Sequence, residues 1–389
     1  MSLFLSFHSS LFVKIYIMKK ILFSCIFLLF CSLILVGNSI LAEGNESGDL
    51  LVDEVQEAIV TNIIQQEEIV LPGETGKQQY QKLQMKVTRG TFQGKTIIVE
   101  NGNIPISSLQ QYKVGDKLVV NYSKDLDGND LFFITDYVRR DSLLWLFILF
   151  VIVIIAVGKW YGVTSLIGMG LSFFVIFQFI LPQILKGSEP VTIAILGAIM
   201  IVPVTFYISH GLNKKATVSV IGTVIALILT GVLASLFINL GKLTGFSSEE
   251  ANFIQVFYQG AVNIKGLLLA GIIISGIGVF DDITVSQAAI VDQLKKTSGK
   301  MNFKQLFNGA MAVGHDHIAS VVNTLVLVYA GAALPLLILF VGNSRSFAEV
   351  VNYEFIAEEI IKTLVASIGL VLAVPITTLL AAWAYRKEA

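Results

Sequence analysis

The sequence predicts an α-helical polytopic membrane protein of about seven transmembrane helices, with a small extracytoplasmic β-barrel (OB-like) domain near the N-terminus. Three observations predict it. Of 389 residues, 54% are apolar and only 14% charged, far from the balance of a soluble domain. Seven long apolar stretches crowd the last two-thirds of the chain, and between residues 80 and 138 short runs rich in β-branched and aromatic residues are separated by turn signals. A net charge of −1 gives no footing for nucleic acid. The expected partners are the lipid bilayer, an ion or small polar solute, and a further copy or family-related membrane protein.

Residues 1–42 read as a signal peptide or N-terminal anchor. Met18-Lys19-Lys20 supplies a basic start, Ile21 to Val36 an apolar core and Ser39-Ile40-Leu41-Ala42 a cleavage-like end. The long core and Ile40 argue for a retained anchor. Both cysteines, Cys25 and Cys31, fall here, so no disulfide framework or thiolate metal site is expected elsewhere. Residues 43–79 hold nine acidic side chains against one basic, Lys77, which is the composition of a solvated linker.

Residues 80–140 form the expected β-domain. Leu83, Met85 and Val87 alternate with polar residues, and Thr96 to Val99, Leu118 to Tyr122 and Leu131 to Val138 read as further strands. The segment Asp125-Leu-Asp-Gly-Asn-Asp130 has a superficial likeness to a calcium loop, but Asp130 stands where that turn needs glycine, so a hairpin turn is expected.

The transmembrane domain, 141–389, contains expected helices near 142–160, 163–184, 190–210, 217–240, 264–280, 313–340 and 361–384. About 20 residues at 1.5 Å each cross a ~30 Å hydrocarbon layer, which leaves only the fifth short. With the β-domain outside, the inner side collects Lys159, Lys214, Lys215, Lys295, Lys296, Lys300, Lys304, Arg386 and Lys387, against Arg139, Arg140, Lys186, Lys242 and Arg345 outside. The C-terminus is therefore expected in the cytoplasm. A faint parallel repeat pairs Gly197 and Pro203-Val-Thr205 with Gly369 and Pro375-Ile-Thr377, and Ser247-x-x-Glu250 with Ser346-x-x-Glu349, each of the latter a capping-box pattern.

Two polar clusters carry the functional reading. Asp281 and Asp282 follow the glycine-spaced run Gly271, Gly276, Gly278. An acid at bilayer depth costs about 2.5–3.5 kcal/mol by insertion scales, so it usually lines a pathway. The plain alternative is an aspartate pair capping a helix from Ile283 to Leu294. His315, Asp316 and His317 are all competent metal ligands, but on a helix the two histidines point about 200° apart and grip one ion only if the helix begins after them. Asp316, Ser320, Asn323 and Leu327 make a helical stripe expected to face the bundle, with His317 and Thr324 beside it. Alternatively, the triplet anchors its span at the headgroups.

The stretches Gly278-Val-Phe-Asp-Asp282-Ile-Thr-Val-Ser-Gln287-Ala-Ala289 and Gly314-His-Asp-His317-Ile-Ala-Ser-Val-Val-Asn323-Thr324, continuing to Pro335, resemble the YibE/F family of bacterial multi-pass membrane proteins. The resemblance spans the β-domain and the membrane region. It implies architecture and a bacterial cell membrane, but no substrate.

The leading expectation is a permease-like protein moving an ion or small polar solute. Asp281, Asp282, His315, Asp316 and His317 would gate or couple transport, and Gln287, Asn323 and Thr324 would supply neutral hydrogen bonds. A metal-dependent intramembrane enzyme using His315, Asp316 and His317 is the second class, although no HExxH, nucleophile elbow or phosphate loop supports it and the chain is not read as an enzyme. A scaffold or sensor whose outer β-domain binds a ligand is the third.

Overall fold

In the computed structural model the described residues are 54–70, 76–104, 110–124, 128, 130–341 and 346–386. The expected signal or anchor segment and most of the Asp125–Asp130 turn lie outside them. The chain divides into two compact units, one carrying the β-sheet and the other the helices from Ile154 onward.

The sheet has five strands: β1 (Glu54–Val70), β2 (Lys77–Arg89), β3 (Thr96–Asn101), β4 (Lys117–Lys124) and β5 (Asp130–Tyr137), in the order β3-β2-β1-β4-β5. All neighbours are antiparallel, with Val60 opposite Met85, Met85 opposite Ile97 and Ala58 opposite Leu118. Alternate residues point inward, so Ala58, Val60, Leu83, Met85, Val87, Val99, Leu118 and Val120 form one buried core. Gln81 locks the approach to β4: its amide donates to the Tyr112 carbonyl at 3.0 Å and accepts from the Tyr112 N–H at 2.8 Å. Among the described residues no ladder joins β3 to β5, so the sheet is a half-barrel.

The expected linker is corrected here. Glu54–Val70 is the central strand, because Gln56, Ala58 and Val60 fill the inner face while most of its acids stay exposed. Its composition is that of a linker, but its alternation is that of a strand.

Among the described residues ten α-helices and one π-helical turn follow. Helix α1 (Arg140–Val175) continues through a π-helical turn, Ile176–Ile180, into α2 (Leu181–Leu185). After these come α3 (Pro190–His210), α4 (Lys214–Leu240), α5 (Glu249–Phe257), α6 (Ile264–Thr297), α7 (Phe303–Ala332), α8 (Leu334–Val341), α9 (Phe347–Val350) and α10 (Glu354–Tyr385). Among the described residues six helices are long and apolar enough to cross a membrane, against about seven expected. The difference lies in Arg140–Leu185, which makes one of the six although two helices meet there at Lys159 (φ 51°), where the first two expected spans divide and Gly162 lies back against the Ile154 carbonyl.

Helix starts follow capping chemistry. Glu189, Asn213 and Asn263 accept from backbone N–H groups three residues on, and Asn302 with Gln305 forms a full capping box. The two Ser-x-x-Glu boxes do not form. Helix α5 is capped by Ser248 one residue later than expected, and the Ser346 side chain makes no cap at α9.

Helices α4, α6 and α10 pack mutually at the centre, α3 lies against α4 and α6, and α7 lies against α6 and α10. Helices α3 and α10, paired by the faint repeat expected from sequence, occupy different places, flanking and central, but each carries one internal proline, Pro203 and Pro375.

Candidate functional site

Contacts at both ends fix the bundle's depth scale. At one end Lys265 of α6 donates to Asn239 of α4 at 2.8 Å. At the other, the Lys214 ammonium sits 4.8 Å from the Tyr385 ring centre, and Tyr385 and Arg386 share a cavity with Lys295. Helix α6 runs unbroken between these ends, which corrects the expectation of a short fifth span.

Asp281 and Asp282 consequently sit mid-helix, and the capping alternative is excluded because α6 begins at Ile264 behind the Asn263 cap. Asp281 is one turn beyond Thr284, whose hydroxyl shares a 2.8 Å hydrogen bond with Thr223 of α4. Counting along α4 from Lys215 at 1.5 Å per residue puts Asp281 about 16 Å into the bundle, comparable to half the hydrocarbon thickness. Its side chain is half-buried and that of Asp282 is exposed.

Below Asp281 runs a buried polar seam that links the three central helices. The Ser219 hydroxyl of α4 lies 3.2 Å from the Thr284 carbonyl, and the Thr378 hydroxyl of α10 lies 3.0 Å from the Gln287 amide oxygen. Ser219, Thr223, Thr284, Gln287, Thr377 and Thr378 are all fully buried. Among the described residues Gln287 Nε2 and Thr377 Oγ1 have no hydrogen-bond partner, and the Thr378 hydroxyl, 3.0 Å from the Gln287 amide, also donates to the Val374 carbonyl at 2.7 Å. An unmatched buried donor or hydroxyl costs about 1–3 kcal/mol. Glycines let the helices meet there; a methyl group at Gly314 of α7 would fall 2.8 Å from Val374 and 3.2 Å from Gln287 Nε2.

Sequence reasoning singled out Gln287 but missed the hydroxyls around it. A threonine in an apolar helix carries no mark of its own, and only the packing aligns Thr223, Thr284 and Thr378.

Helix α7 departs most from expectation. It starts at Phe303, 12 residues before His315, so the triplet lies within regular helix and the two histidines diverge. Among the described residues no group of three or more His, Cys, Asp or Glu side chains is arranged to hold a metal ion, and His315, Asp316 and His317 do not form such a centre. Leu306, Ala310, Gly314 and Leu325 form the buried face. Asp316, Ser320, Asn323 and Thr324 are exposed, as is His315, with His317 half-buried. The stripe expected to face the bundle faces away from it. Because Gly314 lies at the level of Gln287 and α7 runs antiparallel to α6, Ser320 is level with Asp281 and Asn323 lies deeper still.

A second charged group, unforeseen from sequence, marks the Lys265 end. Glu358 of α10 is only 8% exposed; it accepts from the Ser247 hydroxyl and pairs with Lys362 at 3.1 Å, while Lys362 also reaches Glu359 at 2.6 Å. Glu354 accepts from the backbone N–H groups of Thr244 and Gly245 at 2.5 and 2.9 Å. Glu358 and Lys362, with Ser275 and Tyr329, line a cavity of about 400 Å³ that is otherwise largely apolar. The available signal was Glu358-x-x-x-Lys362, an i,i+4 pair at the head of an apolar helix.

In the β-domain, the Arg139 guanidinium donating to Asp136 at 2.5 Å holds that carboxyl below its usual range, and burial pushes the Tyr112 phenol up.

Compared with known protein families, residues 146–387 match the one described as YibE/F-like protein. The matched region covers the helices and leaves the β-domain outside it, narrower than the resemblance read from sequence. No curated protein and no solved structure gave a match.

Proposed function

We propose, from the premise that this chain belongs to the YibE/F-like protein family, that it is a permease-like integral membrane protein moving an ion or small polar solute. The observation that carries this reading is the seam: two fully buried polar atoms, Gln287 Nε2 and Thr377 Oγ1, without partners among the described residues in the middle of an apolar bundle. A polar passenger would find an unmatched amide donor at Gln287, against Gly314 of α7, and an unmatched hydroxyl at Thr377, against Gly222 of α4, and Asp281, six residues before Gln287 on α6, supplies a negative charge for a cation or proton. A purely structural bundle gains nothing from these groups, since apolar residues of similar volume would pack there at no polar cost.

Asp281 and Gln287 are the coupling and binding groups in this reading, with Thr284, Thr377 and Thr378 around them. Asp282 lies within electrostatic reach of His210 at the end of α3 and belongs to the approach. His315, Asp316, His317, Asn323 and Thr324 face outward and enter the path only where another chain meets them. The lysine-rich end, with Lys214, Lys295 and Arg386, is assigned to the cytoplasm by the positive-inside rule, which puts the β-domain outside.

The test is flux in proteoliposomes loaded with a pH indicator or a set of monovalent cations. Asp281→Asn and Gln287→Leu should each cut the flux by an order of magnitude or more. Unchanged flux in both variants, with the protein still folded, would remove the reading.

A further inference from the structure

We infer that the outward face of α7 is an interface with a second copy of this chain. Ala312, Asp316, Ala319, Asn323 and Val326 are all exposed, and their spacing of 4, 3, 4 and 3 residues is the 3.5-residue period of a helix–helix seam. Asn323 and Ser320 lie between the two charged ends of the bundle, at or beyond the level of Asp281. Lipid offers such groups no hydrogen bonds, so an amide or carboxylate held there needs a polar neighbour. Within the chain the Thr324 hydroxyl turns back to the Ser320 carbonyl at 3.1 Å; no hydrogen bond from another helix to Asp316 or Asn323 is present among the described residues.

The chemistry of the face selects a second copy as the occupant. Copies in one membrane share an orientation, so a two-fold axis along the membrane normal brings each level of α7 against the same level of its mate. Asn323 carries both a donor and an acceptor and so pairs with itself. Asp316 is preceded by the exposed His315, which flanks the seam, so the His315 imidazole N–H of one copy meets the Asp316 carboxylate of the other, and the reverse pair forms at the same time. Ala312 and Ala319 leave room for the close approach that such short contacts need. A face that is its own complement in charge, donors and shape fits an isologous dimer better than an unrelated helix.

The test uses the full chain in its membrane, with Cys25 and Cys31 replaced by serine and one cysteine introduced in turn at Ala312, Ala319 and Val326, or at the exposed Ile199 of α3 as a control. Mild oxidation should give a two-chain product at the three α7 positions and little at Ile199. Adding Asp316→Ala and Asn323→Ala should lower the dimer yield at position 312 roughly three- to tenfold. For the unsubstituted chain, native mass spectrometry from nanodiscs should give twice the mass that the single chain shows under denaturing conditions. A monomer by mass with no crosslink, an adduct of different mass showing another protein, or a link to a segment of the same chain would each overturn the inference. None of these readouts involves flux, so they stand or fall separately from the transport reading.

Discussion

Gly222 on α4 and Thr377 on α10 lie so close that a methyl group at residue 222 would sit 2.4 Å from the Thr377 hydroxyl oxygen. That contact sets the spacing of the two central helices where Gln287 and Thr378 meet. Gly222→Ala should therefore destabilise the protein by about 1–3 kcal/mol through overpacking, and Thr377→Ala added to it should recover most of the loss. Thermal unfolding in detergent reads both. A neutral Gly222→Ala would show that the helices separate freely.

Gln287 should behave unlike an ordinary core residue. Replacing it by leucine removes an unmatched amide together with one 3.0 Å hydrogen bond from Thr378, so stability should change by less than about 1 kcal/mol or rise while flux collapses. Thr378→Val, which removes only the hydroxyl, should cost about 1 kcal/mol because the Gln287 oxygen is then stranded as well. Large destabilisation by Gln287→Leu would mark the residue as structural.

The ion pair at the other end should show the opposite asymmetry. Lys362→Met leaves Glu358 buried without its cation and should cost ~3 kcal/mol, whereas Lys362→Met combined with Glu358→Gln should recover much of it. A thermodynamic cycle over the two single variants and the double measures the coupling, and additive losses would contradict the pairing.

Tyr112 gives a pH prediction for the β-domain. Burial raises its phenol, so the folded state favours the neutral form; that stability is fully present below the ordinary phenol value of about 10 and is lost as the pH rises through the higher folded value. Tyr112→Phe should leave stability near neutral pH almost unchanged and reduce the loss above about pH 10. Unfolding curves across that range check it, and identical alkaline profiles for both proteins would refute it.

The apolar spans could be read from the sequence because twenty consecutive lipid-compatible residues have few other uses. The length of α6 could not. Hydropathy falls after Phe280, yet Ile283, Ala288 and Val291 continue one buried face beneath polar neighbours, and a window average does not register a stripe. In the same way β1 was hidden because net charge describes the whole segment, while Gln56, Ala58 and Val60 use only every second position. The direction in which Asp316 points was also illegible, since helical periodicity groups Asp316 with Ser320 and Asn323 but does not say which face the bundle covers. Gly314, against Gln287 and Val374, decides that.

The uninterrupted course of α6 has a mechanical consequence. At 34 residues it is a stiff rod of about 51 Å, held near its middle where Thr284 meets Thr223. A rocking of about 10° around that pivot would swing its Lys265 end by about 5 Å and its Lys295 end by about 3 Å in the opposite sense. Displacement at one face of the bilayer would thus be transmitted mechanically to the other, with Asp281 beside the fulcrum and moving least.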